Sequence, residues 1–113
     1  MVQLFKALSE TTRLRILALL LRSNMCVCEI ECSLKLTQSN ASRHLSVLRQ
    51  AGILESYKIA QWTYYKISEQ FAEDNRELYN YLLTETVRLA HYKKDYERYR
   101  QCILNNPCGS ESQ

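Results

Sequence analysis

The sequence predicts a mainly α-helical fold that carries one β-hairpin. A short helical pattern and a turn lead into residues 36–54, LTQSNASRHLSVLRQAGIL. This segment has the pattern of a second helix, which Thr37 can cap and Gly52 can end. Two runs rich in aromatic and β-branched residues follow directly and have the composition of paired strands. A helix, a turn, a second helix and a hairpin together indicate a winged helix-turn-helix.

Length and composition narrow the class of protein. A chain of 113 residues with 46% hydrophobic residues supports one domain with a modest core. We expect residues 1–105 to form that domain and residues 106–113 to be a flexible tail. The net charge of +3 is compatible with a nucleic acid partner but does not demonstrate one. No apolar run has the length of a membrane span and no signal peptide is recognisable, so we expect a cytoplasmic protein without a membrane partner.

The first part of the chain has the pattern of a helical scaffold. Residues 2–8 can form a short helix, after which Ser9 is the expected cap of a second helix with Glu10 in its first turn. The apolar face of this second helix, which we expect in the core, consists of Leu14, Leu17, Leu20 and Leu21. Its arginines are expected to be solvated or to pair with acidic residues, and these are Arg13, Arg15 and Arg22.

The next segment predicts the DNA-reading pair of helices. Residues 25–27 can be extended, residues 29–36 have room for about two helical turns, and another helix follows within residues 36–54. That last helix has an apolar stripe of Ala41, Leu45 and Leu48, and a polar face of Ser39, Ser42, Arg43 and Ser46. Short hydroxyl side chains allow close approach to DNA, and the Arg43 fork matches a guanine edge or a phosphate. The alternative is an ordinary solvated helix face.

The predicted wing follows at once. Residues 53–57 and 62–67 are the expected strands, with residues 58–61 as their connection. Lys58, Gln61 and Lys66 are the candidates that would face DNA, although exposed lysines on a hairpin also serve solubility and edge protection.

The C-terminal third has the pattern of one long helix over residues 75–104. Its apolar positions recur every three or four residues, at Leu78, Leu82, Leu89, Tyr92, Tyr96, Tyr99 and Ile103. So small a domain cannot bury a stripe of that length, so we expect a homodimer that forms through the terminal helices.

The five cysteines are expected to be free thiols, metal ligands or redox sensors and not a disulfide framework, because their number is odd and the expected compartment is reducing. Cys28 is expected at the start of the helix over residues 29–36, where helix donors lower a thiol pKa. Cys32 lies one turn further, and Cys26 can fold back towards both. Three thiolates suit As(III), Sb(III) or Cd(II). Cys102 and Cys108 could form a second site, supply one ligand or have no function.

The motifs MCVCEI, LTQSNASRHLSVLRQAGIL and WTYYKI closely resemble the ArsR/SmtB family of bacterial metal-sensing repressors, in particular its arsenic- and cadmium-responsive branches. The resemblance implies a homodimeric winged helix-turn-helix repressor that leaves its double-stranded operator when a metal ion binds. It implies that Cys26 and Cys28 are the sensing thiols. The resulting DNA-contact candidates are Gln38, Ser39, Asn40, Ser42, Arg43, His44, Lys58 and Gln61. The candidate metal ligands are Cys26, Cys28, Cys32, Cys102 and Cys108.

Three positions depart from the family pattern. Lys35 in the turn and Ala60 in the wing stand where relatives often have glycine, and each costs about 1 kcal/mol if the backbone keeps a positive φ. In the arsenic branch a third cysteine commonly follows the first two closely, whereas here Cys32 comes one place later and Glu31 occupies the usual position. The third ligand therefore stays open.

Two other functions remain compatible with the residues. One is a repressor that senses oxidants or sulfide through a dithiol, and the other is a DNA-binding module in which cysteines hold a structural zinc ion. An enzyme is not expected, because His44 and His91 are far apart in the sequence and neither accompanies a nucleophile motif.

Overall fold

The computed structural model describes residues 1–105, and the predicted tail, residues 106–113, lies outside the described residues. The strands are β1 (Met25–Cys26), β2 (Leu54–Ile59) and β3 (Trp62–Ile67). The helices are α1 (Val2–Leu8), α2 (Thr11–Leu20), α3 (Val27–Leu34), α4 (Gln38–Gln50), α5 (Glu69–Asp74), α6 (Arg76–Glu85) and α7 (Tyr92–Asn105). A 3-10 turn, Thr86–Arg88, follows α6. This order confirms the mainly helical winged helix-turn-helix prediction. None of the helices within residues 1–105 is long and apolar enough to span a membrane.

Helices α1 and α2 form the predicted scaffold, but Ser9 does not cap α2. Glu10 has the extended backbone of an N-cap, and its carboxylate accepts a hydrogen bond from the Arg13 backbone N–H at 3.0 Å. Ser9 instead ends α1, where its hydroxyl donates to the Lys6 carbonyl. Within α2 the core is formed by the consecutive residues from Ile16 to Leu20, while Leu14 is only partly buried.

Helices α3 and α4 pack against each other and form the helix-turn-helix. Helix α3 begins two residues earlier than expected because Cys26 occupies its N-cap position. Thr37 caps α4 as predicted, since its hydroxyl oxygen accepts from the Asn40 N–H at 3.1 Å. The α4 stripe is also confirmed, and its members are all 0% exposed, namely Ala41, Leu45 and Leu48. Gly52 has φ 83° and follows the last helical turn, as its freedom at positive φ predicts.

Strands β1, β3 and β2 form an antiparallel sheet in that order. Ile59 pairs with Trp62, so the hairpin turns over two residues, Ala60 and Gln61. The predicted four-residue connection is therefore wrong, and Lys58 belongs to β2. Ala60 has φ 55° and Lys35 has φ 56°, so both keep the positive φ that glycine adopts most easily. Each conformation costs about 1 kcal/mol relative to glycine.

The single long helix predicted over residues 75–104 is wrong. Helix α6 ends at Glu85, Leu89 is extended, and α7 starts again at Tyr92. The physical reason is a tertiary contact from Arg22, which follows α2: its guanidinium donates to the carbonyl of Leu83 and to the Thr86 hydroxyl. The same guanidinium lies 5.5 Å from the centre of the Tyr92 ring, over its face. Arg22 thus supplies hydrogen bonds to acceptors at the end of α6 and packs on the Tyr92 ring at the start of α7.

The break changes where the apolar stripe lies. Helix α7 folds back on α2 and α3, so Leu82 and Tyr99 are buried inside the same chain. Leu78, Tyr92 and Ile103 pack against this core while remaining partly exposed. The stripe therefore does not by itself require a second copy.

Helix α7 is anchored by a buried carboxylate. Asp95 is 2% exposed and accepts two hydrogen bonds from the Arg15 guanidinium of α2, at 2.9 and 2.8 Å. Arg98 donates to the same carboxylate at 3.3 Å and to the Ser33 carbonyl of α3 at 2.6 Å. One charged cluster therefore joins α2, α3 and α7.

Candidate DNA interface and thiol site

The polar face of α4 is open to solvent. Its exposed residues are Gln38, Ser39, Asn40, Ser42 and Arg43, all members of the candidate DNA-contact set. The Arg43 guanidinium donates to the side-chain oxygen Oδ1 of Asn40, which lies one turn earlier in the same helix, at 3.2 Å. Side chains in the first turns of the second helix are those that reach base edges in helix-turn-helix proteins. Arg43 and its neighbours are therefore placed where a reading face needs them.

His44 is placed differently from the expectation that it reads DNA. Its side chain belongs to the buried side of α4, and the residue is 5% exposed. Its ring nitrogen Nδ1 lies 3.2 Å from Nη1 of Arg13 on α2. We correct the predicted role accordingly: His44 is a contact between helices and not part of the exposed face.

The wing carries the other two candidates of the contact set. Lys58 in β2 and Gln61 in the turn are exposed. Lys66 is partly buried and lies 3.4 Å from the Glu69 carboxylate. Lys66 therefore has an acidic partner of its own, while the exposed wing candidates are Lys58 and Gln61.

Cys26 and Cys28 lie together where β1 passes into α3. Cys26 is 1% exposed, pairs with Tyr64 of β3 in the sheet and is the N-cap of α3. Cys28 follows in the first turn and is partly buried, and a hydrogen bond joins the two thiol side chains. The two thiols thus lie side by side at the start of the helix that packs on α4.

The expected low pKa of Cys28 is not found. Burial raises the pKa of Cys28 above the usual value of a thiol, and negative charge on Cys26 and Glu31 raises it further. Burial also raises the pKa of Cys26, against the lowering effect of the backbone N–H groups of Glu29 and Cys28. The helix N-terminus favours the thiolate as expected, but desolvation is the larger effect.

Glu29 belongs to the thiol site, although it is not among the candidates predicted from the sequence. It is 5% exposed, and its carboxylate accepts a hydrogen bond from the Cys26 backbone N–H at 3.1 Å. Together with the Cys26 side chain, which faces the Glu29 N–H, this contact makes a capping box. The signal was the spacing Cys-x-x-Glu, which matches the capping box except that a thiol replaces the hydroxyl. Glu29 therefore holds the backbone that presents both thiols.

Cys32 and Cys102 form a disulfide, which corrects the expectation that these cysteines are separate thiols. Their Cα atoms are 6.2 Å apart because α7 folds back along α3. Cys32 accordingly faces α7 and not the Cys26–Cys28 pair. Cys108, the remaining candidate, lies outside the described residues.

The described residues do not complete a metal site by themselves. Within residues 1–105, no group of three His, Cys, Asp or Glu side chains is placed to hold a metal ion. Two thiols of the predicted set are together, Cys26 and Cys28, and two others are joined to each other. A soft ion at the first pair would need a further ligand from outside this pair.

Comparison with known proteins places this geometry in a family. Residues 10–56 match the family described as "Bacterial regulatory protein, arsR family". Over 64 residues the chain is 45% identical to the arsenic resistance transcriptional regulator ArsR1 of Pseudomonas putida, which covers 56% of this chain and 50% of ArsR1. The chain thus spans only half the length of that relative.

Two solved structures share the fold. HlyU from Vibrio cholerae is 37% identical, with a TM-score of 0.61 over 72% of this chain and 88% of HlyU. HlyU has also been solved in a form described as reduced. The homodimeric winged helix-turn-helix DNA-binding domain Mb0332 from Mycobacterium bovis is 25% identical, with a TM-score of 0.63 over 80% of this chain and 84% of that domain.

The matched family comprises DNA-binding transcriptional regulators, which confirms the expectation that the protein is not an enzyme. The fold, the helix-turn-helix residues and the relatives agree with one another. The protein is a member of the ArsR family of bacterial transcriptional regulators.

Proposed function

We propose that the protein is a homodimeric cytoplasmic repressor that binds operator DNA and releases it when As(III), Sb(III) or Cd(II) binds Cys26 and Cys28. The observation that carries this proposal is the thiol pair at the start of α3, directly before the recognition helix α4. Thiolates favour soft ions over magnesium or calcium. Similarity to ArsR1, an arsenic resistance regulator, supports a metalloid effector.

DNA binding would use the exposed α4 face and the wing. In a two-fold dimer the paired α4 helices would enter successive major grooves, about 34–36 Å apart, and read an inverted repeat. Arg43 supplies the planar donor fork for a base edge, while the neighbouring serines allow α4 to approach closely. Lys58 and Gln61 would contact the DNA backbone from the wing.

A homodimer is supported by exposed apolar side chains in the described part of the chain. Val2 and Phe5 on α1 are 69% and 53% exposed, and Tyr81 on α6 is 62% exposed. Burying such side chains between two copies is favourable, because apolar area removed from water stabilises by about 25 cal/mol per Å². The homodimeric Mb0332 domain gives a precedent in the same fold.

Replacing Arg43 by alanine is expected to weaken operator affinity by about 1–3 kcal/mol and to relax sequence preference at the base pair that it contacts. The physical reason is the loss of a bidentate donor at a base edge. Fluorescence anisotropy with a duplex selected by the protein from a random pool measures both effects. The matched control is Arg49→Ala, which removes the same charge from the exposed C-terminal end of α4. Equal affinity for Arg43→Ala and the parent protein, with the fold intact, would refute the contact.

Release by a metal ion follows from the position of the thiols. Drawing the two sulfur atoms and a further ligand onto one ion would shift the start of α3, and α3 packs on α4. A small rotation of α4 relative to the dimer axis suffices, because both half-sites must be engaged at once. The ion must bind the DNA-incompetent form more tightly, and operator DNA must then weaken ion binding by the same factor.

The third ligand of the ion bound by Cys26 and Cys28 would be one of three cysteines, Cys32, Cys102 or Cys108. Cys32 and Cys102 become available only after their disulfide is reduced, because a sulfur in that bond carries no thiolate charge. Cysteine-to-serine variants of the three residues, titrated with arsenite while thiolate absorbance is recorded, would identify the ligand.

A redox sensor is the second candidate, and the Cys32–Cys102 disulfide favours it. Two thiols and one hydrogen peroxide give the disulfide and two water molecules, so the bond between α3 and α7 forms as peroxide is reduced. The similar fold of HlyU, which has been solved in a reduced form, is compatible with this alternative.

Oxidation is then expected to lower the operator affinity of the parent protein about tenfold, while Cys102→Ser should keep the affinity of the reduced protein. The reason is that the disulfide pins α7 onto the helix before α4. Anisotropy before and after peroxide, with disulfide content measured by mass, tests this. A peroxide response that persists in Cys102→Ser would exclude this disulfide as the sensor.

A further inference from the structure

Arg13 joins three helices through one guanidinium group. From α2, its Nε donates to the Ala7 carbonyl at 2.7 Å and its Nη2 donates to the Lys6 carbonyl at 3.3 Å, both at the C-terminal end of α1. Its Nη1 lies 3.2 Å from Nδ1 of His44 on α4. All three nitrogen atoms of the guanidinium therefore have partners within the protein. A cation at the C-terminal end of a helix is also favoured by the helix dipole.

The contact with His44 requires one protonation state. A guanidinium has donors and no acceptor, so Nδ1 of His44 must offer its lone pair. His44 is then neutral, and its ring proton is on Nε2. Protonation would put a hydrogen on Nδ1, directed at Arg13, and would replace the hydrogen bond by repulsion between two cations.

The surroundings of His44 favour the neutral ring. Burial lowers the pKa of His44 below its ordinary value, and the charges of Arg43 on α4 and Arg13 on α2 lower it further. Glu10 on α2 is the acidic group that acts in the opposite direction. From α1, the groups that face Arg13 are the carbonyls of Lys6 and Ala7, which carry no titratable charge.

We propose that Arg13 is a positioning residue for DNA recognition, which holds α4 against α1 and α2 through neutral His44, and that protonation of His44 releases this hold. The inference rests on DNA binding by the exposed face of α4. His44 follows Arg43 directly in that helix, so a shift of His44 displaces the residue proposed to read a base. Each of the three guanidinium nitrogens of Arg13 already has a partner inside the protein, which favours a positioning role over a contact with phosphate.

The sign of the pH effect follows from the depressed pKa of His44. The hydrogen bond is fully present above about pH 6.5, the ordinary histidine value, and is lost as the pH falls through the lower pKa of the folded protein. Operator affinity is therefore expected to fall in acid. The protein has two histidines, and the other, His91, is exposed and distant in the sequence, so it provides a matched control.

The experiment measures anisotropy of a duplex that the protein selects from a random pool, from about pH 7.5 to about pH 5. The parent protein and His91→Gln are expected to lose about tenfold in affinity over that range, and His44→Gln less than about twofold. Glutamine keeps an acceptor for Arg13 and does not titrate. An equal loss of affinity in His44→Gln and His91→Gln would overturn the proposal.

A second variant separates positioning from direct contact. Arg13→Gln is expected to bind the duplex about tenfold more weakly at neutral pH, with an unchanged dependence on salt and a flattened dependence on pH. A decrease of the salt slope by about one would mean that Arg13 contacts a phosphate, which contradicts the positioning role.

Nitrogen NMR of the histidine rings in the parent protein decides the question even if a variant does not fold. The expected spectrum has the His44 proton on Nε2 at neutral pH and a His44 pKa below the ordinary histidine value. A proton on Nδ1 at neutral pH would overturn the inference. If the parent protein selects no duplex at neutral pH, DNA binding itself fails, whereas the NMR result still reports on the Arg13–His44 contact.

Discussion

Cys28→Ser is expected to bind operator DNA as the parent protein does and to lose its release by arsenite, antimonyl or cadmium ions. A serine hydroxyl keeps the size and polarity of the side chain but is a poor ligand for a soft ion. Cys26→Ser should behave in the same way, and its hydroxyl is in addition a good helix N-cap for α3. The measurement is anisotropy of the bound duplex during titration with each ion, under reducing conditions.

The matched control is Val27→Ala, because Val27 lies between the two thiols and offers no ligand. It should respond to the ions as the parent protein does, apart from a modest loss of stability. If Cys26→Ser and Cys28→Ser both release DNA at the parent's ion concentration, the sensor lies elsewhere. Cys102 and Cys108 then become the leading candidates for ligands.

The largest effect on stability is expected from Asp95→Asn. The variant leaves Arg15 and Arg98 without their common anion inside the cluster that joins α2, α3 and α7. Removing one partner of a buried ion pair costs about 3–5 kcal/mol, and we expect about 3 kcal/mol, because 21% of the Arg15 side chain and 29% of the Arg98 side chain reach solvent. Urea unfolding measures the change.

Two conditions make that test specific. Excess reductant is needed, because the Cys32–Cys102 disulfide would otherwise hold α7 on α3 after the ion pair is lost. The control is Glu97→Gln, since Glu97 and its partner Arg100 are both exposed and such pairs contribute about 0–1 kcal/mol. Equal unfolding midpoints for Asp95→Asn and Glu97→Gln would show that the buried cluster does not stabilise α7.

The two helices of the helix-turn-helix were predictable because their signals are local. The Thr37 hydroxyl caps the chain segment that follows it, and the period of Ala41, Leu45 and Leu48 selects the buried face of α4 whatever packs there. The exposed position of Arg43 follows from the same period. His44 could not be placed in this way, because a polar ring beside the stripe becomes buried only if a partner, here Arg13, satisfies it.

The C-terminal third was predicted less well, because its structure also depends on contacts with residues that are distant in the sequence. The segment between Glu85 and Tyr92 contains neither glycine nor proline, so its composition favours a continuous helix. Arg22, more than sixty residues earlier, donates to the Leu83 carbonyl and to the Thr86 hydroxyl at the end of α6, and these bonds make the break possible. The return of α7 then brings Cys102 to Cys32, a contact between residues 70 positions apart.

The sequence by itself determined the class of fold, the exposed polar face of α4, the wing and the neighbouring thiols of Cys26 and Cys28. These features depend on caps, periods and spacings within about a dozen residues, where backbone geometry leaves few alternatives. Only the tertiary structure decided where α7 lies, that Cys32 faces Cys102, and that the Cys28 thiol is less acidic than a helix N-terminus suggests. Those outcomes depend on which surfaces become buried together, and burial outweighs the local preference of the chain at each of them.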